Sequence, residues 1–180
     1  MEDKAESRSE RVEPITVLVA ARDEATHASC ESALASDRQV RVVGHARTAF
    51  EVVTAARRLK PRVVVLDTSV GRRSLPLLLE LLRGYRRRTR VLVVGARAAE
   101  SRILDVLGHG ARGHLELRRV PARLPKAVRV IDGGQAWLPR KLTPKLLTRV
   151  FDTRLAPVPP RRTVRRSIAP PSNRHLSRQR

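Results

Sequence analysis

Few side chains in this sequence have types and spacings that do chemistry. His109 and His114 flank a glycine-rich turn, and two imidazoles so close in sequence are half of a metal site. No cysteine and no second close carboxylate completes a ligand set, so they read as turn histidines. Ser69 and Ser74 sit in no nucleophile elbow and have no matched His–Asp pair, which leaves a hydrolase without support. Gly44, Gly71 and Gly84 make no GxGxxG fingerprint, so no dinucleotide site is expected. Trp137 is the sole tryptophan; packing a linker is favoured over stacking on a nucleobase.

Charge is the other candidate for function. The formal net charge is +21, with 33 arginines against 5 lysines. Such a ratio follows more readily from GC-rich codons than from attraction to a polyanion by counterion release. Its distribution adds something that codon usage does not. Residues 1–14 carry five acids and three bases, whereas residues 135–180 carry twelve bases and one acid. A basic C-terminal arm is therefore a feature in its own right, and Arg161, Arg162, Arg165 and Arg166 are its candidate contacts to nucleic acid, without sequence readout.

The elements that must position any site follow from periodicity. The composition is 41% hydrophobic but only 2% aromatic, so the core must be aliphatic. Residues 1–14 lack apolar periodicity and read as a disordered leader. Strands are expected at Ile15–Ala20, Val40–Ala46 (weakened by Gly44), Val63–Leu66, Arg90–Val94 and Gly113–Leu117. Helices are expected at Glu24–Ser36, Phe50–Leu59, Leu75–Leu82, Ala99–Leu107 and Ala122–Asp132. The first would bury Ala25, Ala28, Ala33 and Leu34. The second would bury Phe50, Val53, Ala56 and Leu59, with Thr48 as N-cap.

Five strand–helix units over residues 15–134 imply a parallel sheet covered on both faces. The expected class is α/β: a flavodoxin-like (CheY-like), doubly wound five-stranded parallel sheet of order 2-1-3-4-5. Its functional site should lie just after Ala20, Leu66 and Val94, at the carboxyl ends of the strands. Residues 135–151 read as a linker with a short helix over Pro144–Phe151. Residues 152–180, with five prolines and eight arginines after Phe151, read as a basic disordered tail. A lone Cys30 permits no internal disulfide, no run approaches a membrane span, and the acidic leader is no secretory signal. A soluble cytoplasmic protein with no membrane contact is expected.

The segments ITVLVA, RVVGHARTAFEVVTAARRLKPRVVVLDT, TRVLVVGA, GHGARGHLEL and VIDGGQAWLP, in that order and spacing, resemble receiver domains of NarL/LuxR-type response regulators. The resemblance runs from Ile15 to about Pro139. It implies a strand-end aspartate that accepts a phosphoryl group from a histidine kinase or small phosphodonor, two acids that hold Mg²⁺, and a hydroxyl and a lysine that contact the phosphoryl group.

Carried over residue by residue, the resemblance places Asp67 at the acceptor position. The acidic pair is Ala21 and Arg22, the hydroxyl position is Gly95, and the lysine position is Leu117. Asp23 and Arg118, each one residue out of place, are possible auxiliaries. Mg²⁺ holds its waters strongly and needs carboxylates, so a Mg²⁺ cofactor and ordinary phosphorylation of Asp67 are not expected. Arg22 either pairs with Asp67 or points to solvent while Asp67 caps the next loop.

The leading expectation is a degenerate receiver of two-component signalling, not an enzyme, acting by contact with proteins such as a histidine kinase or a second copy of itself. The four-helix DNA-binding domain usual in that family does not fit in residues 152–180. The competing expectations are a DNA-associated protein that uses its basic tail, and an enzyme with a cofactor in the flavodoxin-like fold.

Overall fold

The computed structural model describes residues 13–71, 74–85, 89–139, 142 and 144. Its strands are β1 (Ile15–Ala20), β2 (Val40–Ala46), β3 (Val63–Asp67), β4 (Arg90–Gly95) and β5 (Gly113–Glu116). They form one five-stranded sheet of order β2-β1-β3-β4-β5, and every neighbouring pair is parallel. The helices are α1 (Glu24–Ala35), α2 (Ala49–Leu59), α3 (Thr68–Gly71), α4 (Leu75–Tyr85), α5 (Glu100–Gly108) and α6 (Val120–Asp132), with a 3-10 turn at Leu117–Arg119. This is the expected doubly wound α/β fold.

The two-residue period of the strands sorts their side chains into two cores. Val17, Val19, Val63, Val65, Leu92 and Val94 face α1 and α6, where they meet Leu34, Leu124, Val128 and Ile131. Leu18, Ala20, Val64, Leu66, Val91 and Val93 face the opposite layer, with Val52, Leu78, Leu79, Leu82 and Val106. The three inner strands are buried on both faces, which is why they read as continuous apolar runs.

The edge strand β2 departs from regularity where Gly44 interrupts it. Val42 pairs with Val17 but Gly44 pairs with Leu18, so Val43 is skipped in a bulge. Thr48 caps α2 as expected, accepting from the backbone N–H of Glu51 at 3.2 Å. Gly134 has φ +90 beyond the end of α6, a conformation that glycine adopts at little cost.

Several packing expectations are corrected. Phe50 is 79% exposed, while Val52 and Ala56 form the buried side of α2. Phe50 lies about 200° around the helix from Val52, so one of the two must face solvent. In α1, Ala25 and Ala28 are not buried; His27, Cys30, Ala33 and Leu34 are. The fifth strand stops at Glu116, and Leu117 opens the 3-10 turn. The one-turn α3 is an addition to the expected elements. The expected leader, apart from its last two residues, the helix over Pro144–Phe151, apart from Pro144, and the basic tail with Arg161, Arg162, Arg165 and Arg166 lie outside the described residues.

Candidate functional site

The carboxyl ends of β1, β3 and β4 converge where the fold rule places a site. Asp67 closes β3 and is 3% exposed. The chain turns at once into α3, so the next two hydroxyls fold back onto the carboxylate. Ser69 Oγ donates to Asp67 Oδ2 in a short contact, and Thr68 Oγ1 donates to Oδ1 at 3.4 Å. A buried carboxylate needs such donors, and here its own chain supplies them.

The first strand ends differently from the expectation of a paired guanidinium. Arg22 is exposed and makes no ion pair with Asp67; of the two alternatives, Asp67 holding the following turn is the one present. Ala21 is buried, and its N–H is shared between the carbonyl of Ala46 at 3.0 Å and Nε2 of His27 at 3.1 Å. His27 meets His45 edge to face with ring centroids 5.3 Å apart, and His45 Nε2 is 3.2 Å from Glu31. Sequence reasoning missed His27, because a histidine in an otherwise alanine-rich helix looks like a solvent residue.

Asp23 is the N-cap of α1, and its Oδ1 accepts from the N–H of Thr26 at 2.7 Å. That bond holds the Asp23 carboxyl below its usual range. Gly95 ends β4 against α3: a Cβ added there would lie 2.8 Å from Thr68 Oγ1. Leu117 is half-buried and packs against the α1/α6 core. Arg118 is exposed, and its Nε lies 2.5 Å from Glu116.

Asp23, Asp67 and Leu117 open onto a cleft of about 770 Å³, also lined by Ser69, Arg97 and Arg102, whereas Ala21, Arg22 and Gly95 are not part of its lining. The structure therefore brings Asp23, Asp67 and Leu117 together. Arg118 lines a neighbouring cleft instead. The cations that do line the Asp67 cleft, Arg97 and Arg102, were not singled out from sequence; their signal was position alone, directly after β4 and in the first turn of α5.

His109 and His114 serve separate local roles. His109 Nδ1 is 2.8 Å from the carbonyl of Asp105. His114 belongs to β5, is 6% exposed and lines the cleft. Burial pushes its imidazole below the ordinary range, with Glu116 opposing. Trp137 packs against the α1/α6 core and forms a parallel bridge with Gly113, so the expected linker runs along β5.

Solved structures similar to this chain include receiver domains of response regulators. The receiver domain of NarL from Mycobacterium tuberculosis is similar at 24% identity, over 68% of this chain and 99% of that one, with a TM-score of 0.64. The receiver domain of RcsB from Salmonella enterica serovar Typhimurium matches at 19% identity, over 74% and 98%, with a TM-score of 0.67. A LuxR-family response regulator from Aurantimonas sp. SI85-9A1 matches at 18% identity, over 77% and 99%, with a TM-score of 0.65. No family model matches the chain, and no curated protein matches it in sequence. At these identities the likeness is one of fold: this chain has the architecture of a response-regulator receiver.

Proposed function

We propose that this chain is an atypical receiver of the NarL/LuxR type, working in two-component signalling through protein–protein contacts without a Mg²⁺-dependent phosphorylation cycle. The observation that carries the reading is the state of Asp67. The resemblance gives it the acceptor position, and both its oxygens are engaged by Ser69 and Thr68. The residues around it do not fit Mg²⁺. Ala21 has no ligand atom, Arg22 is exposed, and the Asp23 carboxylate is engaged as the cap of α1. Hard divalent cations need more than one free carboxylate here, and Arg97 and Arg102 add positive charge to the same cleft.

Under this reading the fold is held in one state and presents its surfaces to a kinase, to a second copy or to another regulator, without being an enzyme. Incubation with acetyl phosphate and Mg²⁺, with Asp67→Ala as control, tests it. No Asp67-dependent label is expected in folded protein, while self-association measured by sedimentation is unchanged by the donor. Label that disappears in Asp67→Ala overturns the reading.

The charge distribution supports a second reading, a DNA-associated regulator that holds duplex through Arg161, Arg162, Arg165 and Arg166. It requires steeply salt-dependent binding to random duplex that is lost when residues 152–180 are deleted.

A further inference from the structure

Beside the Asp67 cleft lies a second one, of about 410 Å³, between the end of β5, the amino end of α5 and the segment after α6. Arg97 and His114 line both. Four arginines line the second cleft: Arg97, Arg118, Arg119 and Arg123. Arg118 and Arg119 share the single carboxylate of Glu116. Arg97 and Arg123 are exposed and form no close ion pair among the described residues, although Arg97 also acts electrostatically on Glu116. Glu100 also lines the cleft, so four guanidinium groups against two carboxylates leave it net cationic in a concave place, where field lines concentrate.

Two further observations point to an anion. The N-cap position of α5 is Ala99, which makes no side-chain cap hydrogen bond, so the amino end of this nine-residue helix keeps donor character beside the Glu100 carboxylate of its first turn. His114 is 6% exposed and has no hydrogen-bond partner among the described residues, yet it lines the cleft. Its imidazole is therefore available to a polar group in the cleft. The opposite wall is apolar, built from Trp137, Leu138, Pro139 and Leu142.

We infer that this cleft binds an organic phosphate: phosphoryl oxygens held by Arg97 and Arg123 beside His114, with the apolar body of the ligand against Trp137 and Pro139. Guanidinium groups match phosphoryl geometry by paired donation, and an aromatic wall favours a flat ring. The inference goes beyond the receiver reading and does not depend on Asp67.

Trp137 is the sole tryptophan of the chain, so its emission reports on the site directly. The full-length protein is titrated with ADP, and separately with pyrophosphate, at constant ionic strength. ADP is expected to change the emission saturably, and Arg97→Ala or Arg123→Ala to weaken it about tenfold or more. Both arginines are exposed and form no close ion pair among the described residues, so these variants should keep the melting temperature of the parent to within a few degrees. Alanine at Arg161, Arg162, Arg165 and Arg166 should leave the response intact. Four results overturn the inference: no saturation by millimolar ADP, an unchanged response in the Arg97/Arg123 double variant, loss of the response in the tail variant, or pyrophosphate binding as tightly as ADP.

Discussion

Thr68 fills the space that a side chain at Gly95 would need. A Cβ on Gly95 would sit 2.8 Å from Thr68 Oγ1 and 2.9 Å from Thr68 Cγ2, closer than packed atoms tolerate. A hydroxyl from α3 thus occupies the space beside the end of β4, and that hydroxyl is turned onto Asp67.

The pair should behave as a coupled unit. Gly95→Ala alone is expected to destabilise the fold by about 1–3 kcal/mol, the usual cost of overpacking. In Thr68→Ala the same added methyl meets only the Thr68 Cβ position at 3.4 Å, an ordinary contact. Urea melts of the two single variants and the double variant should give a stabilising interaction term. Strict additivity would show that the two positions do not press on one another.

A second close approach fastens the segment after α6. A Cβ on Gly113 would lie 2.6 Å from the carbonyl oxygen of Trp137, while the N–H of His114 donates to that same oxygen at 3.1 Å. Backbone cannot step aside as a side-chain tip can. Gly113→Ala should cost about 1–3 kcal/mol and shift Trp137 emission to the red as the indole leaves the core. Unchanged emission and stability would contradict the bridge.

Cys30 is 1% exposed. Burial first, then Asp67 and Asp23, push its thiol up to about 11. A thiol needs to ionise and be reached to react. Ellman's reagent at pH 8 should leave the native protein nearly unlabelled, and should react stoichiometrically once urea unfolds it. Rapid native labelling would place Cys30 at the surface.

His114 links stability to acid. Burial lowers its folded pKa, so as pH falls the unfolded chain takes up the proton first. Stability associated with the neutral ring is complete above the unfolded value of about 6.5 and is lost as pH falls below it toward the folded value. Melting temperatures at pH 7.5 and 5.0 should therefore fall more for the parent than for His114→Gln. An equal fall would remove His114 as a cause.

Local order was legible in the sequence. All five strands and five of the six helices follow from apolar runs two residues or about 3.6 residues in period. Asp67 at a strand end and Thr48 as a cap were legible for the same reason, since each is a short-range relation. The parallel sheet order followed too, because a chain alternating strand and helix has few ways to cover both faces.

The partners of Asp67 were settled only by the tertiary structure. Arg22 turned out to be exposed, and the donors to Asp67 come from α3, a single turn too short to leave a periodic signal. That turn presents Thr68 and Ser69 to the carboxylate and fits against Gly95, 27 positions further on. His27 under Ala21, Phe50 in solvent and the arginine cleft beside His114 belong with them. Sequence periodicity fixes which side of an element is apolar, but contact between residues distant in the chain is set by how the elements pack.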